Sequence, residues 1–263
     1  MSETMPSKPS MRITITGTGT SQGVPLIGCH CDVCSSADPR DRRLRSSALV
    51  SINGTNIVID AGPDFRQQML ANRVDHLRAI LLTHEHVDHI FGLDDIRSYN
   101  WLQKRPTDIY AESRVEEAIR RIFYYVFARD RYPGIPQMEL HEIDETPFLV
   151  DDIRIIPIRG YHHKLPVLGY RIGDFSYITD VNYVPEEEKM KMKGSKVLVV
   201  NALRHERHLS HFSLSEALSL AGDVDADQTY LTHISHTLGL HTIIDKELPK
   251  GVSLAYDGLT INL

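Results

Sequence analysis

The sequence predicts a layered α/β fold, in which strands and helices alternate along the chain. Short apolar runs, of the kind that form buried strands, alternate with stretches of helical periodicity. A hairpin signal joins two of these runs. The 263 residues are 41% hydrophobic and 24% charged, a composition that supports a packed core and argues against disorder.

One domain is expected at residues 11–263, because no repeat, low-complexity tract or Pro/Gly/Ser-rich linker divides the chain. Residues 1–10 are polar, contain two prolines and are expected to form a flexible N-terminus. They lack the apolar core of a secretory signal, so the sequence predicts a cytoplasmic location. No stretch approaches the roughly 18 uninterrupted apolar residues of a membrane helix, so no membrane association is expected.

The first part of the chain predicts a strand, a hairpin, a helix and a second buried strand. The dipeptide Asn53-Gly54 favours the two-residue turn of a hairpin, because both positions of that turn need positive φ. The four residues before Thr83 form a continuous apolar run, which is typical of a strand buried on both faces. The predicted strands are 11–16, 47–52, 56–60 and 79–82, and the predicted helix is 64–72.

The second part of the chain predicts two helices and six strands. Residues 114–128 have apolar side chains at helical spacing, so we predict a helix that packs on the core. Tyr124 and Tyr125 could instead line a substrate entrance or a dimer contact, and the sequence leaves that choice open. The other predicted elements are strands at 153–158, 169–172, 176–179, 196–200, 228–231 and 254–263 and a helix at 214–221.

The formal net charge of −6 argues against sequence-independent binding of nucleic acid, which needs a clustered excess of Lys and Arg. We therefore expect no stable nucleic-acid complex. A substrate that carries phosphate stays compatible with this charge, because bound divalent metals would reverse the sign of the local field.

A histidine motif follows the predicted strand at 79–82, with the order His84, His86, Asp88, His89. Residues two apart at a strand end project the same way, so His84 and His86 can reach one ion together. Asp88 and His89 follow in the turn and face a neighbouring position. Imidazole and carboxylate suit zinc, manganese or iron. The alternative, a surface turn that binds nothing, is disfavoured because functional loops concentrate at the ends of buried strands.

Cys29, Cys31 and Cys34 lie within one short segment. An odd number of cysteines this close together is a poor disulfide framework and a good zinc-ligand cluster. Tetrahedral zinc commonly takes three thiolates and one imidazole, so a fourth ligand must come from elsewhere. Three buried thiols without a metal are the alternative.

The pattern His-x-His-x-Asp-His after an apolar strand resembles the signature of metallo-β-lactamase-fold hydrolases, and the chain is most similar to PhnP-like phosphodiesterases and their ribonuclease Z relatives. The resemblance extends from residues 14–19 to residues 255–258. It implies an αββα sandwich, with two mixed β-sheets flanked by helices and a metal site at the sandwich edge.

The resemblance also implies two divalent metals in the active site, zinc or manganese. A histidine downstream of the motif is needed, for which His162 is favoured and His163 is the alternative. Asp60 resembles the supporting aspartate of this family, which orients a metal ligand by a hydrogen bond and does not itself bind the metal. The implied ligands are His84, His86 and His162 for one metal, Asp88, His89 and His233 for the other, and Asp180 as the bridge.

For the cysteine cluster, the resemblance implies His236 as the fourth ligand of a structural zinc. His30 and His241 are alternatives, although His30 lies between two ligands. A closed four-coordinate site contributes folding energy and leaves no open position for catalysis. We therefore expect this zinc to hold the first loop onto the active site and not to react.

Two adjacent metals can generate hydroxide at neutral pH and stabilise developing charge, which suits phosphodiester hydrolysis. The leaving group needs a proton, and His211 resembles the catalytic histidine of PhnP-like enzymes. Its alternative role is that of a helix-capping neighbour of Ser210. Asp88 is counted with His211 among the catalytic residues, whereas His205 and His208 are expected to be solvated or at the substrate edge.

The sequence therefore predicts a metal-dependent phosphodiesterase for small or nucleotide-like substrates, including 2′,3′-cyclic phosphates. A transfer-RNA-processing nuclease ranks lower, because no long basic, glycine-rich arm is present. Lactamase or thioesterase activity is compatible with the same metals, because the fold does not determine the substrate. A non-catalytic carrier, like the pyrroloquinoline-quinone-pathway relative, is disfavoured by the complete ligand set. A homodimer is left open.

Overall fold

The structure is a computed structural model that describes residues 10–130 and 132–263. The predicted flexible N-terminus lies outside the described residues, apart from Ser10. Fourteen strands, numbered in chain order, form two seven-stranded sheets in the described part of the chain. No helix among the described residues has the length and apolar character needed to span a bilayer. The assignment of residues 11–263 to one domain stays a prediction.

The first sheet has the strand order β14-β1-β2-β3-β4-β5-β6. Its first four strands pair antiparallel and the remaining neighbours pair parallel. The strands are β1 Met11–Gly17, β2 Ser47–Ile52, β3 Thr55–Ile59, β4 Ala79–Leu81, β5 Thr107–Ala111, β6 Met138–Glu142 and β14 Leu259–Asn262.

The second sheet repeats this arrangement in the order β13-β12-β11-β10-β9-β8-β7. Strands β7 to β10 pair antiparallel and β10 to β13 pair parallel. The strands are β7 Phe148–Val150, β8 Ile153–His162, β9 Leu165–Ile172, β10 Phe175–Ile178, β11 Val197–Asn201, β12 Gln228–Thr232 and β13 Val252–Leu254.

Helices cover the outer face of each sheet. The helices are α1 Phe65–Ala71, α2 Val87–Ile90, α3 Arg97–Gln103, α4 Ser113–Ile122, α5 Glu186–Met192, α6 Leu214–Val224 and α7 His241–Glu247. Helices α1, α3 and α4 share a buried apolar cluster with the first sheet, and α5 to α7 share another with the second. The predicted αββα order of two mixed sheets flanked by helices is confirmed.

The continuous apolar runs are explained by burial on both faces of each sheet. In β3, Ile57 and Ile59 join the cluster between the two sheets, whereas Val58 faces the helices. In β11, Val199 faces the other sheet and Leu198 faces the helices. Because successive side chains of a strand point to opposite faces, a strand in a middle layer needs apolar residues at every position.

Two predicted elements are wrong in extent. The helix predicted at 114–128 ends at Ile122, because Phe123 leaves the helical conformation and a 3-10 turn at Tyr124–Val126 follows, which lets Phe123 and Val126 both reach the core. Tyr124 is exposed and Tyr125 donates a hydrogen bond to Asp94. Whether this turn lines a substrate entrance or a dimer contact stays a prediction.

The strand predicted at 254–263 is two strands in different sheets, β13 and β14. Asp257 lies between them and accepts hydrogen bonds from Thr18 Oγ1 at 2.7 Å and from the Leu44 backbone N–H at 2.6 Å. Gly258 follows with φ 89°, a conformation that glycine adopts without strain. These contacts turn the chain from the second sheet to the first.

The Asn53-Gly54 hairpin is confirmed, with φ 50° and 87° at its two turn residues. Strand β8 is longer than predicted and continues to His162, because residues 155–162 pair with β9. This extension matters for function, since it carries a candidate ligand to the edge of the sandwich. Strands β5 to β7 and helices α2, α3, α5 and α7 were not predicted from the sequence.

Candidate metal centre

Five strands end at the same edge of the sandwich, and each delivers a candidate side chain there. The side chains are Asp60 after β3, His84 after β4, His162 at the end of β8, Asp180 after β10 and His233 after β12. Asp60, Asp180 and His233 adopt positive φ, at 63°, 59° and 54°. The left-handed region costs a non-glycine residue about 1–2 kcal/mol, and such strain concentrates at functional sites. We interpret these turns as the means by which the strand ends aim their side chains inward.

Two glycines allow α2, which carries Asp88 and His89, to lie against the end of β3. A side chain on Gly62 would come within 1.9 Å of the Asp88 carbonyl oxygen, and one on Gly92 within 2.1 Å of the Gly62 carbonyl oxygen. The Ala61 N–H donates to the His89 carbonyl oxygen at 2.7 Å. The sequence Asp-Ala-Gly after β3 therefore places Asp60 directly behind His89.

Asp88, His89, Asp180 and His233 form a buried group whose ligand atoms all lie within 4.8 Å of one another. His89 Nε2 is 3.2 Å from Asp88 Oδ2 and 3.3 Å from Asp180 Oδ2. Neither contact has hydrogen-bond geometry, so Nε2 is a buried nitrogen without a partner among the described residues. A buried polar atom needs a partner, and a cation between these atoms would supply one.

Asp60 and Thr83 orient the imidazoles of His89 and His84 through hydrogen bonds to the ring nitrogens that point away from the metal centre. Asp60 Oδ2 accepts from His89 Nδ1 at 2.7 Å and from Thr83 Oγ1 at 2.9 Å. Because Thr83 Oγ1 donates to Asp60, it accepts from His84 Nδ1 at 2.9 Å. Both histidines then carry their proton on Nδ1, which leaves Nε2 free to bind a metal.

The first predicted set, His84, His86 and His162, lies at the open mouth of the site. His84 Nε2 is 3.0 Å from His86 Nδ1, and the ring centre of His162 is 5.1 Å from that of His86. His162 Nδ1 donates to the Ser210 carbonyl oxygen at 2.8 Å, which leaves its Nε2 free. His163 is exposed with φ 59°, so the structure brings His162 and not His163 to the group.

The buried charges favour bound cations. Asp60, Asp88 and Asp180 are each at most 5% exposed. Burial alone would lower the pKa of His89, but these three carboxylates raise that pKa well above its usual value. Burial opposes ionisation of Asp180, but His233 and His89 hold its pKa well below the usual range. Three buried carboxylates and the imidazole donors around them fit divalent metals.

His211 lies at the rim of the same group. Its Nδ1 is 3.7 Å from Asp180 Oδ1, and its ring centre is 4.5 Å from that of His162 and 4.8 Å from that of His233. Burial and the neighbouring His233 lower the pKa of His211 to about 3. Its ligand atoms also lie within 4.8 Å of His162 and Asp180, so distance alone allows a ligand role as well as a catalytic one.

The cysteine cluster gathers Cys29, Cys31, Cys34 and His236, with ligand atoms within 4.8 Å of one another. His236 Nδ1 is 3.5 Å from Cys29 Sγ and 3.3 Å from Cys31 Sγ. His30 is exposed and outside this group. His241 is not in the group either, since its Nδ1 lies 3.1 Å from the Arg43 guanidinium.

The thiols of the cluster differ in acidity. The Cys34 N–H and His236 lower the pKa of Cys31 to about 6, whereas burial raises the pKa of Cys34 to about 11. Two backbone N–H groups, those of Leu26 and Cys34, donate to sulfur at 3.4 and 3.5 Å. Adjacent thiols cannot all ionise without a cation, and zinc bound by three thiolates would remove this conflict.

Two supporting contacts carried no sequence signal. Ser46 Oγ donates to the Gly19 carbonyl oxygen at 2.9 Å and lies 3.2 Å from His233 Nδ1. The Ser210 carbonyl oxygen orients His162. A serine before β2 and a backbone carbonyl in a loop match no motif, and only the folded arrangement shows these contacts.

Comparison with known proteins gives a family match and several relatives. A model of the β-lactamase superfamily domain matches residues 55–234. The octanoyltransferase of Porphyromonas gingivalis is 42% identical over 252 residues, which is 95% of this chain and 51% of that protein. This chain thus spans about half the length of that relative. Coenzyme PQQ synthesis protein B of Methylorubrum populi is 37% identical over 96% of this chain and 100% of its own.

Two solved structures have the same fold as this chain. A diphosphatase from the PhnP family superimposes with a TM-score of 0.91 and 37% sequence identity, covering 97% of both chains. The short form of human tRNase Z has a TM-score of 0.65 and 20% identity, covering 95% of this chain and 98% of that one. The second likeness extends to the fold alone.

Proposed function

The chain belongs to the β-lactamase superfamily, and from that premise we propose that it is a two-metal phosphodiesterase for small, nucleotide-like substrates. It has the metallo-β-lactamase fold, is similar in sequence and structure to a diphosphatase of the PhnP family, and shares its fold with tRNase Z. The observation that carries the proposal is His89 Nε2, buried without a partner between the carboxylates of Asp88 and Asp180. An atom in that position fits a ligand in a hydrolytic metal centre.

The proposed ligands divide into two sets that share Asp180. The sets are His84, His86 and His162, and Asp88, His89 and His233. Zinc or manganese suits both. Divalent cations, when bound, would polarise the phosphoryl group and make water acidic enough to attack near neutral pH. The proposed structural zinc is held by Cys29, Cys31, Cys34 and His236.

The protein residues hold and move protons around this centre. Asp60 and Thr83 keep the Nδ1 protons of His84 and His89 directed away from the centre. Burial opposes ionisation of Asp88, but His89 keeps its pKa below the usual value. Asp88 is then a carboxylate at neutral pH and accepts a proton from water.

His211 is the proposed proton donor to the leaving oxygen. With a pKa of about 3 it is neutral in the free protein. An anionic phosphodiester beside the ring would stabilise its protonated form, so substrate entry and protonation of His211 are coupled. The side chain is 12% exposed, which keeps the transferred proton away from bulk water.

Hydrolysis of a diphosphate bond is a second candidate, favoured by the similarity to the PhnP-family diphosphatase. Acyl transfer is named for a relative twice as long as this chain. We propose that it resides in the half of that protein that has no counterpart here. A carrier function, suggested by the PQQ synthesis relative, would require metal binding without turnover.

The test is hydrolysis by the purified chain, loaded with manganese or zinc. The substrates are bis(p-nitrophenyl) phosphate, a 2′,3′-cyclic nucleotide, a linear dinucleotide and a transfer-RNA precursor. We expect turnover of the small phosphodiesters. His162→Gln should reduce that turnover, and the exposed neighbour His163→Gln is the matched control. Two bound metals without turnover of any phosphodiester would contradict the proposal and favour a carrier.

A further inference from the structure

Glu85 lies between His84 and His86 in the histidine motif and has no role in the metal centre as described so far. Its carboxylate accepts a hydrogen bond from Arg114 Nη1, and the two side chains form an ion pair. Arg114 lies in the first turn of α4, which supplies none of the proposed ligands. This contact therefore joins the turn of the histidine motif to a helix outside the metal centre.

The same guanidinium reaches the second sheet. Arg114 Nη2 donates to the Pro166 carbonyl oxygen at 2.5 Å. Pro166 lies on β9 and is the register partner of Tyr161 on β8, the residue before His162. One side chain thus links the turn of the histidine motif, at the end of a strand in the first sheet, to the hairpin that carries His162 in the second sheet.

A second arginine holds another part of this hairpin. Arg159 on β8 donates to both carboxylate oxygens of Glu112, from Nη2 at 2.5 Å and from Nη1 at 2.9 Å. Glu112 Oε2 also lies 3.7 Å from Arg114 Nη2. Bidentate arginine–carboxylate pairs fix direction as well as distance. The hairpin is therefore held at two points, at Arg159 and at Pro166.

His86 lacks the support that other proposed ligands have. Three rings donate a hydrogen bond from Nδ1 to a protein oxygen, namely those of His84, His89 and His162. The ring of His86 is exposed, and its only hydrogen-bond contact among the described residues is from Nδ1 to His84 Nε2 at 3.0 Å. A histidine that binds a metal usually has a second hydrogen bond that fixes its ring. The position of His86 then depends on its backbone, which the neighbouring Glu85 holds through Arg114.

We propose that Arg114 is a positioning residue, which sets the distance between His86 and His162 and so the affinity for the metal at the open mouth of the site. The two rings come from different sheets, yet their centres are 5.1 Å apart. Arg114 acts on them only through its contacts with Glu85 and Pro166. This inference rests on the proposed function, because it takes His86 and His162 as ligands of one metal.

The buried ligand set does not depend on this arginine. His89 is held by Asp60, whose Oδ2 accepts from His89 Nδ1 at 2.7 Å. Asp180 and His233 follow β10 and β12, two central strands of the second sheet, and lie beside each other at 3.2 Å. Loss of Arg114 should therefore weaken binding of one metal and leave the other bound.

The test is a manganese titration of the purified protein, with zinc left in the cysteine cluster and free manganese measured by electron paramagnetic resonance. Thiolates select zinc over manganese, so the titration counts only the active-site metals. The wild type should bind two equivalents. Arg114→Gln should bind one of them more weakly by about 10- to 100-fold, the loss typical of a residue that supports a metal ligand, and the other with unchanged affinity. Arg121→Gln, exposed on the same helix, is the matched control.

Two further variants separate positioning from general stabilisation. Glu85→Gln removes the same ion pair from its other side, so its loss of affinity should match that of Arg114→Gln. The double variant should lose no more than either single variant, because both act through one contact. Arg114→Lys keeps the charge but lacks the fork that reaches Glu85 and Pro166 together, so it should restore only part of the affinity.

Equal weakening of both metals in Arg114→Gln, or no weakening of either, would overturn the proposal, since a merely structural residue would lower Tm without this selectivity. If the wild type binds two manganese ions but cleaves no phosphodiester, the proposed function fails, and the titration still decides on Arg114. If the wild type binds fewer than two, both proposals fail.

Discussion

The two candidate metal sites of this chain differ in the origin and burial of their ligands. The histidine–carboxylate centre takes side chains from five strand ends separated by up to 173 residues in sequence, from Asp60 to His233, and His89 and Asp180 in it are at most 2% exposed. The cysteine cluster takes three ligands from six consecutive residues, and Cys31 is exposed.

Because of this difference, we expect metal binding to contribute differently to protein stability at the two sites. The histidine–carboxylate centre is held by strands whose apolar side chains form the core, so we expect the fold to persist without the metals. The backbone hydrogen bonds of the cysteine segment are local, as from the Cys29 N–H to the Leu26 carbonyl oxygen and from the Ser35 N–H to the Cys31 carbonyl oxygen, so a bound metal would connect this loop to His236 and stabilise it. Loss of a ligand should therefore cost activity at the first site and stability at the second.

The largest effect is expected from Asp180→Asn. The amide keeps the shape of the side chain but loses the charge shared by the two proposed metals, so kcat/KM should fall by about 10³-fold or more. Because the core is untouched, Tm should change little. The exposed Asp152→Asn is the control. A variant that lost its fold along with its activity would remove the contrast between the two sites.

His211→Ala should give the next largest effect. Removal of a general acid lowers kcat by about 10²–10⁴-fold, while both active-site metals stay bound. Metal analysis and kcat with bis(p-nitrophenyl) phosphate measure the two quantities. Unchanged turnover would remove His211 as the proton donor. Loss of one metal equivalent would make it a ligand, which its distances to His162 and Asp180 allow.

Cys31→Ser tests the predicted contribution of the cysteine cluster to stability. Loss of one thiolate should weaken zinc binding and destabilise the protein by about 2 kcal/mol, equivalent to roughly 4–8 °C in Tm for a chain of this size. Thermal unfolding and zinc content measure the effect, with the exposed neighbour His30→Gln as control. The decrease in kcat should be far smaller than for Asp180→Asn, and an equal decrease would contradict the separation of roles.

The sequence predicted most where the relevant residues are local. His84 to His89 lie in one segment, and strand alternation suffices to bring them together. The resemblance favoured His162 over His163, but the residues alone left both open, because the choice depends on how far β8 pairs with β9. Ser46 carried no signal because its contact to His233 spans 187 residues. The split of 254–263 into two strands depends on the Asp257 contacts with distant loops.

Asp257 connects the two sites and gives the smallest predicted effect. It accepts a hydrogen bond from Thr18 Oγ1, and the Thr18 carbonyl oxygen accepts from the N–H of Ile234, which lies between His233 and His236. Burial raises the pKa of Asp257 from 3.8 to about 6. The folded protein therefore binds this proton more tightly than the unfolded chain does.

The sign of the pH effect follows from this raised pKa. The stabilisation by the Asp257 proton is fully present below pH 3.8 and is lost as the pH rises through about 6. Between these values, wild-type stability should increase by up to about 1.4 kcal/mol per unit of falling pH relative to Asp257→Asn, which cannot titrate. Urea unfolding of both proteins at pH 5 and pH 7.5 measures the difference. If the stability difference between wild type and Asp257→Asn is the same at pH 5 and pH 7.5, Asp257 is ionised throughout this range. Its hydrogen bond with Thr18 would then not depend on pH.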